Sequence, residues 1–212
     1  NIRVTFTVKN KLIYILLLLS FIIAVPAQAK KKAEKPPERA IMHNNKGVTA
    51  LYNGQIDRAI FEFKTASELA PKYVESWSNL GIAFKAKGRL DDAERVLIFA
   101  ISLDKKFATP YNHLGTVYFA KKDYKGALRQ YDLAIKYNSK FSDAQYNAAL
   151  VYLALYQGDK NKSHLDKAVD RFRSATRINS EHPYAHHELA KVYQAQGKIE
   201  EAIIRFKLAL EI

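Results

Sequence analysis

The chain has 212 residues and no cysteine, with 34 Lys and Arg against 21 Asp and Glu and a formal net charge of +13. Without cysteine there is no disulfide, no thiol chemistry and no lipid-attachment site. The basic excess is spread: residues 1–29 hold Arg3, Lys9 and Lys11 with no acid, Lys30 to Arg39 carry +3, and the remaining +7 is scattered. Charge distributed in that way belongs to solvated helix faces, so nucleic acid is not an expected partner.

The first element is apolar. Lys9 and Lys11 precede the run Leu12 to Val25, followed by Pro26 and Ala27-Gln28-Ala29. A basic segment, a short apolar run and a small-x-small site predict a secretory signal peptide over residues 1–29, with export to the periplasm or another extracytoplasmic space. The run is shorter than the roughly 20 residues of a membrane span. Lys30, Lys31, Lys32 and Lys35 follow at once, so charge does not orient the segment clearly. The alternative is an uncleaved anchor in the inner membrane, and the membrane is a partner only in that case. Residues 30–39 have no apolar face and read as a flexible basic linker, with Pro37 opening the next helix.

From Ala40 onward the sequence keeps a 34-residue beat: Gly47, Gly81 and Gly115; Ala59, Ala93 and Ala127; Phe63, Leu97 and Tyr131. This is the period of a helix-turn-helix solenoid. With position 1 at Ala40, Val74, Ala108 and Ser142, the repeats are 40–73, 74–107, 108–141 and 142–182, and Pro183 starts an incomplete fifth over 183–212. Glycine at position 8 marks a close crossing of the two helices in a pair, and Gly54, Gly88 and Gly197 at position 15 mark the turn between them. Pro110 and Pro183 fall in the first turn of a helix, whereas Gly126 and Gly158 have no signature position. Repeat four has seven extra residues within Tyr156 to Lys167, where Ser163 and Asp166 can cap an early second helix. A lengthened hairpin with a polar tip and a solvated loop both fit that composition.

Two stretches carry a fuller signature, Trp77-x2-Leu80-Gly81-x2-Phe84 and Tyr111-x2-Leu114-Gly115-x2-Tyr118. On these residues the chain resembles the tetratricopeptide repeat family. The resemblance implies an all-α fold: a right-handed superhelical solenoid of antiparallel helix pairs, whose first helices line a concave surface. It places positions 2, 5, 6, 9, 12 and 13 nearest a ligand. Position 6 holds Asn45, Asn79, His113, Asn147 and Glu188; position 5 holds Asn44, Ser78, Asn112, Tyr146 and His187. Tyr52, Phe119, Leu153 and Tyr184 would supply apolar contact. The predicted peptide-binding set is Asn45, Asn79, Asn112, His113, Tyr146, Asn147, Tyr184, His187 and Glu188. An asparagine amide donates and accepts at once, so it can pair with a peptide unit whatever the ligand side chain. Asn79 and Asn147 are expected to project into the groove, free of the helix stack. The competing reading is that Asn beside Leu-Gly only marks a tolerant solvated position.

Family members that clamp the carboxylate end of chaperone peptides use Lys and Asn at positions 5 and 9, Asn at position 6 of the next repeat, then Lys and Arg at positions 2 and 6. This chain has Asn44, Val48, Asn79, Thr109 and His113 there, so only the middle Asn matches. Catalytic signatures are absent: no G-x-x-x-x-G-K-[ST], G-x-G-x-x-G, G-x-S-x-G or H-E-x-x-H. No enzyme, cofactor or metal is therefore expected. His182 and His186 have ligand spacing, but Pro183 between them puts His182 before the helix, and His186 falls where the family packs an aromatic. Asp91 with Asp92, and Glu200 with Glu201, suit helix amino ends rather than an acid/base pair. The expected function is a scaffold that binds an extended segment of a partner protein in envelope assembly. Its layout resembles exported factors for pilus and secretin assembly, without their lipid-attachment cysteine. The alternative is a membrane-tethered module that self-associates through repeat five, which stops at position 30 with no closing helix.

Overall fold

The computed structural model describes residues 35–211. The signal-peptide expectation and residues 30–34 of the linker lie outside the described residues. Ten helices follow in pairs: α1 (Glu38–Tyr52) with α2 (Ile56–Leu69), α3 (Val74–Ala86) with α4 (Leu90–Leu103), α5 (Ala108–Ala120) with α6 (Tyr124–Tyr137), α7 (Ser142–Asp159) with α8 (Lys162–Ile178), and α9 (Pro183–Ala195) with α10 (Ile199–Glu211). Among the described residues there is no strand. No described helix is long and apolar enough to cross a membrane.

Helix α4 shows why these segments fold as they do. Ala93, Leu97 and Ala100 recur at helical spacing and are fully buried, while Asp91 and Asp92 in the first turn face the positive end of the helix dipole. The turn that precedes it needs a left-handed residue, and Gly88 supplies it at φ 77°. Gly54 and Gly197 do the same at 72° and 75°, but in the third pair Lys122 takes this place at φ 63°. The helix starts differ slightly from the sequence reading. Pro37 caps α1 rather than opening it, so Glu38 and Arg39 belong to the helix and not to the linker.

Close approach within each pair depends on the position-8 glycines. A Cβ on Gly81 would lie 2.5 Å from Leu97 Cγ, one on Gly115 2.5 Å from Tyr131 Cε1, and one on Gly47 2.6 Å from the Phe63 ring. Gly126 has a separate reason: it is the third residue of α6, its N–H donates to the Asp123 carboxylate, and a Cβ would strike that carboxylate. The extra residues of repeat four lengthen α7 and α8. Lys160, at φ 56°, ends α7, and Asn161 accepts from the Ser163 N–H to cap α8, so Asn161 and not Ser163 is the capping side chain.

Pairs stack through α2 on α3, α4 on α5, α6 on α7 and α8 on α9. First helices also touch the next first helix, α1 to α3, α3 to α5 and α5 to α7, whereas second helices make no comparable contacts with one another. Crowding on one side and splaying on the other curve the array, with the first helices on the concave face. At the rim, Lys87 pairs with Asp57, Lys121 with Asp91, and Gln196 with Asp166, each joining a turn to the preceding second helix.

Candidate functional site: a polar ladder on the concave face

The concave face carries a side-chain ladder that the frame alone does not reveal. Asn79 Nδ2 donates to Asn44 Oδ1 at 2.9 Å, and Asn147 Nδ2 donates to Asn112 Oδ1 at 3.0 Å. Between these rungs His113 Nδ1 lies 2.8 Å from Ser78 Oγ and 3.3 Å from the Ser78 carbonyl. The carbonyl can only accept, so the tautomer with Nδ1–H satisfies both contacts. Every rung joins position 5 of one repeat to position 6 of the next, a separation of 35 residues. Asn44 and Asn112 are each only 6 % exposed, so the rungs sit at the floor of the groove.

This corrects the expectation that Asn79 and Asn147 project free of the stack. Both tie adjacent repeats together, because the one-residue offset between positions 5 and 6 matches the twist from one first helix to the next. Each still has capacity to spare, since an amide offers two donors and an acceptor with two lone pairs. Among the described residues the only fully buried side-chain N or O without a partner is Gln196 Oε1, so no ladder amide atom is both fully buried and unpaired.

Electrostatics divide the groove into two halves. Burial pushes the His113 pKa down to about 4, helped by Lys85 and opposed by the Ser78 carbonyl and Asp143, so the imidazole is neutral at neutral pH. Lys85 is half-buried on the same face and its pKa is lowered by burial. In the far half, Tyr146 packs its ring 4.9 Å from His182 and 5.7 Å from Phe172. Burial raises the Tyr146 pKa, with Glu188 and Tyr184 adding to the effect. His182 caps α9 through Nδ1 and lies 3.5 Å from Asp143, whose carboxyl pKa it lowers.

The remaining predicted residues are less engaged. Asn45 is exposed in an open recess with Ile41, Met42, Lys46 and Thr49. Tyr184 is 69 % exposed, Glu188 pairs with Lys191, and His187 sets its ring edge 5.5 Å from Phe206. Thus Tyr146, Tyr184 and Glu188 come together beside His182, Asn112 joins Asn147, and Asn45 and His187 stand apart at opposite ends. Of the apolar candidates, Tyr52 is exposed, whereas Phe119 and Leu153 are half-buried against the core. His186 is buried with Nε2 on the Ser180 carbonyl, a packing role. Sequence reasoning passed over Lys85, Asp143 and His182 as groove residues; Asp143 and Lys85 fall at positions 2 and 12, which the frame could have supplied.

Sequence profiles of the tetratricopeptide repeat match residues 33–98, 108–141 and 184–212. The chain is a tetratricopeptide repeat protein. The matched stretches leave the lengthened pair α7–α8 between them. No curated protein matches the sequence. Among solved structures, it is similar to MamA, at 28 % identity over 78 % of this chain and 92 % of that one, with a TM-score of 0.60. PilF of Pseudomonas aeruginosa aligns at 19 % identity over 82 % of this chain and 76 % of that one, with a TM-score of 0.71. A thermophilic repeat protein of Thermus thermophilus aligns at 21 % identity over 81 % and 90 %, with a TM-score of 0.70. The last two likenesses show the fold alone. That fold is a protein–protein interaction scaffold.

Proposed function

We propose that this tetratricopeptide repeat protein is a non-enzymatic scaffold that holds an extended segment of a partner protein along its concave face. The observation that carries this is the ladder: Asn44, Asn79, Asn112 and Asn147 fix their amides along the groove floor, each with hydrogen-bonding capacity that its rung does not use. A peptide in extended conformation presents alternating N–H and C=O groups, and preset amides recognise them whatever the side chains. The amino-terminal pattern of Lys9, Lys11, the run to Val25 and Ala27-Gln28-Ala29 supports action after export, and hence a role in envelope assembly such as that of a pilus or secretin.

The test begins with capture of the partner from an envelope extract and continues with titration of groove variants. Asn45→Ala and Tyr184→Ala touch exposed residues and should leave folding intact while weakening binding. Asn147→Ala should weaken it about five- to a hundredfold, the effect of leaving a desolvated peptide group unpaired. Lys136→Ala on the outer face should change little at physiological salt. Full binding by the groove variants, with loss on removal of outer lysines, would replace this reading with an electrostatic one.

A further inference from the structure

Charge on the concave face is mostly answered within the protein. At the positions nearest a ligand, Lys191 pairs with Glu188, Asp143 lies 3.5 Å from His182, and Glu75 is exposed to water. Lys85 of α3 is different: it is half-buried, and among the described residues it forms no ion pair. Its place explains the burial. Position 12 reads Leu51, Lys85, Phe119 and Leu153 along the first four repeats, and the three apolar side chains pack partly against the core. An ammonium set in an apolar row, with water removed from one side and no counter-charge, costs free energy that no ion pair among these residues offsets. A lysine needed only for its stem would keep its head in water. Here burial lowers the pKa, so the head itself is desolvated.

Lys85 also reaches the ladder. Side chains on a helix lean toward its amino end, which for position 12 is the direction of the rungs. Its charge is felt by His113, at position 6 of the next repeat, and opposes protonation of that ring. The neutral imidazole offers no charge to a ligand, which leaves Lys85 as the unpaired, desolvated cation beside the ladder. Rungs lie on both sides of it, Asn44 with Asn79 and Asn112 with Asn147, so a segment held by the ladder continues past Lys85 in both directions. An acid that meets Lys85 is therefore a side chain within the segment, not a chain end.

We propose that Lys85 is the specificity-determining cation of the groove: the segment that binds there carries an aspartate or glutamate whose carboxylate pairs with the Lys85 ammonium. The inference rests on the peptide-groove reading and adds the chemistry of the segment. The ladder amides accept any backbone, whereas Lys85 selects among side chains, since an acid restores the counter-charge and a base leaves two like charges together.

Affinity selection tests it, with the purified chain on resin and a pooled library of short random peptides, acetylated and amidated at their ends, beside a parallel pool with free carboxyl ends. The wild-type chain should retain peptides enriched in Asp or Glu at one fixed place. Lys85→Met keeps an unbranched stem and helix propensity without the charge; it should retain peptides that lack this preference and lose no thermal stability. Lys85→Glu should enrich Lys or Arg at the same place. For a retained peptide, changing Asp to Asn or Glu to Gln should weaken binding to the wild-type chain about tenfold or more, and to Lys85→Met less than about twofold. Tyr184→Ala should weaken retention and leave the acid preference intact. Retained peptides with no acid preference, a preference that survives Lys85→Met, or one confined to peptides with free carboxyl ends would each overturn the proposal and leave the groove reading in place. Retention of no peptide would overturn both.

Discussion

The ladder makes a specific thermodynamic prediction at the first repeat junction. Asn79 Nδ2 donates to Asn44 Oδ1 at 2.9 Å, and Asn44 is 6 % exposed, so removing Asn79 leaves a mostly desolvated amide without its partner and removing Asn44 leaves a half-buried one. A neutral hydrogen bond of this kind contributes about 0.5–1.5 kcal/mol net. Because the ladder amides keep some access to water, Asn44→Ala and Asn79→Ala should each cost about 1 kcal/mol, which lowers the melting temperature by about 2–4 °C in a domain of this size. The double variant should lose less than the sum, with a coupling of about 0.5–1 kcal/mol. Denaturant titrations of the four proteins measure that coupling. Asn44 paired with Asn147 is the control, since the two do not touch and should add within about 0.5 kcal/mol. Strict additivity for Asn44 and Asn79 would refute the ladder as a coupling between repeats.

Three further outcomes can be checked by thermal or denaturant unfolding. Gly81→Ala should destabilise by about 1–3 kcal/mol, because its Cβ would lie 2.5 Å from Leu97 Cγ, while Gly158→Ala, with nothing within 4 Å, should stabilise by about 0.5–1 kcal/mol; equal signs would show that the helix crossings are misplaced. Lys122→Gly should stabilise by up to about 1 kcal/mol, since it relieves a lysine held at φ 63°, and a loss of stability would contradict the turn geometry. The pKa of His113, at about 4, lies below its ordinary value of 6.5, so the folded state favours the neutral ring: its contribution is intact above pH 6.5 and is lost as pH falls toward 4. That loss amounts to up to about 3 kcal/mol. His113→Asn, which places at this rung the residue found at Asn79 and Asn147, should flatten the stability profile over that window, and an unchanged profile would exclude His113 as its source.

The glycines show how much of the fold was legible. Gly47, Gly81 and Gly115 recur because a helix crossing tolerates no Cβ, and Gly54, Gly88 and Gly197 recur because a turn needs positive φ; both are backbone demands that one residue type answers. Where a side chain could answer instead, the sequence was ambiguous. Lys122 adopts φ 63° without announcing it, and the capping role of Asn161 is shared on paper by Ser163. Gly126 had no periodic partner because its reason is local, the Asp123 carboxylate folded over its N–H. The groove residues were placed by the frame, but their pairing was not. Nothing local distinguishes an asparagine that faces a ligand from one that bonds 35 residues away, and only the stacking offset brings Asn79 onto Asn44.

The central claim is that the concave face takes up a partner segment. Photo-cross-linking tests it most directly, with a photoreactive residue placed in turn at Thr116, at the groove-facing position 9 of repeat three, at Tyr184, at position 2 of repeat five, and at Lys136 on an outer helix. The account predicts that one partner protein cross-links from Thr116 and Tyr184, that both products map to a single continuous segment of that partner, and that Lys136 gives none. Cross-linking from Lys136 alone, or from all three positions to unrelated proteins, would contradict it.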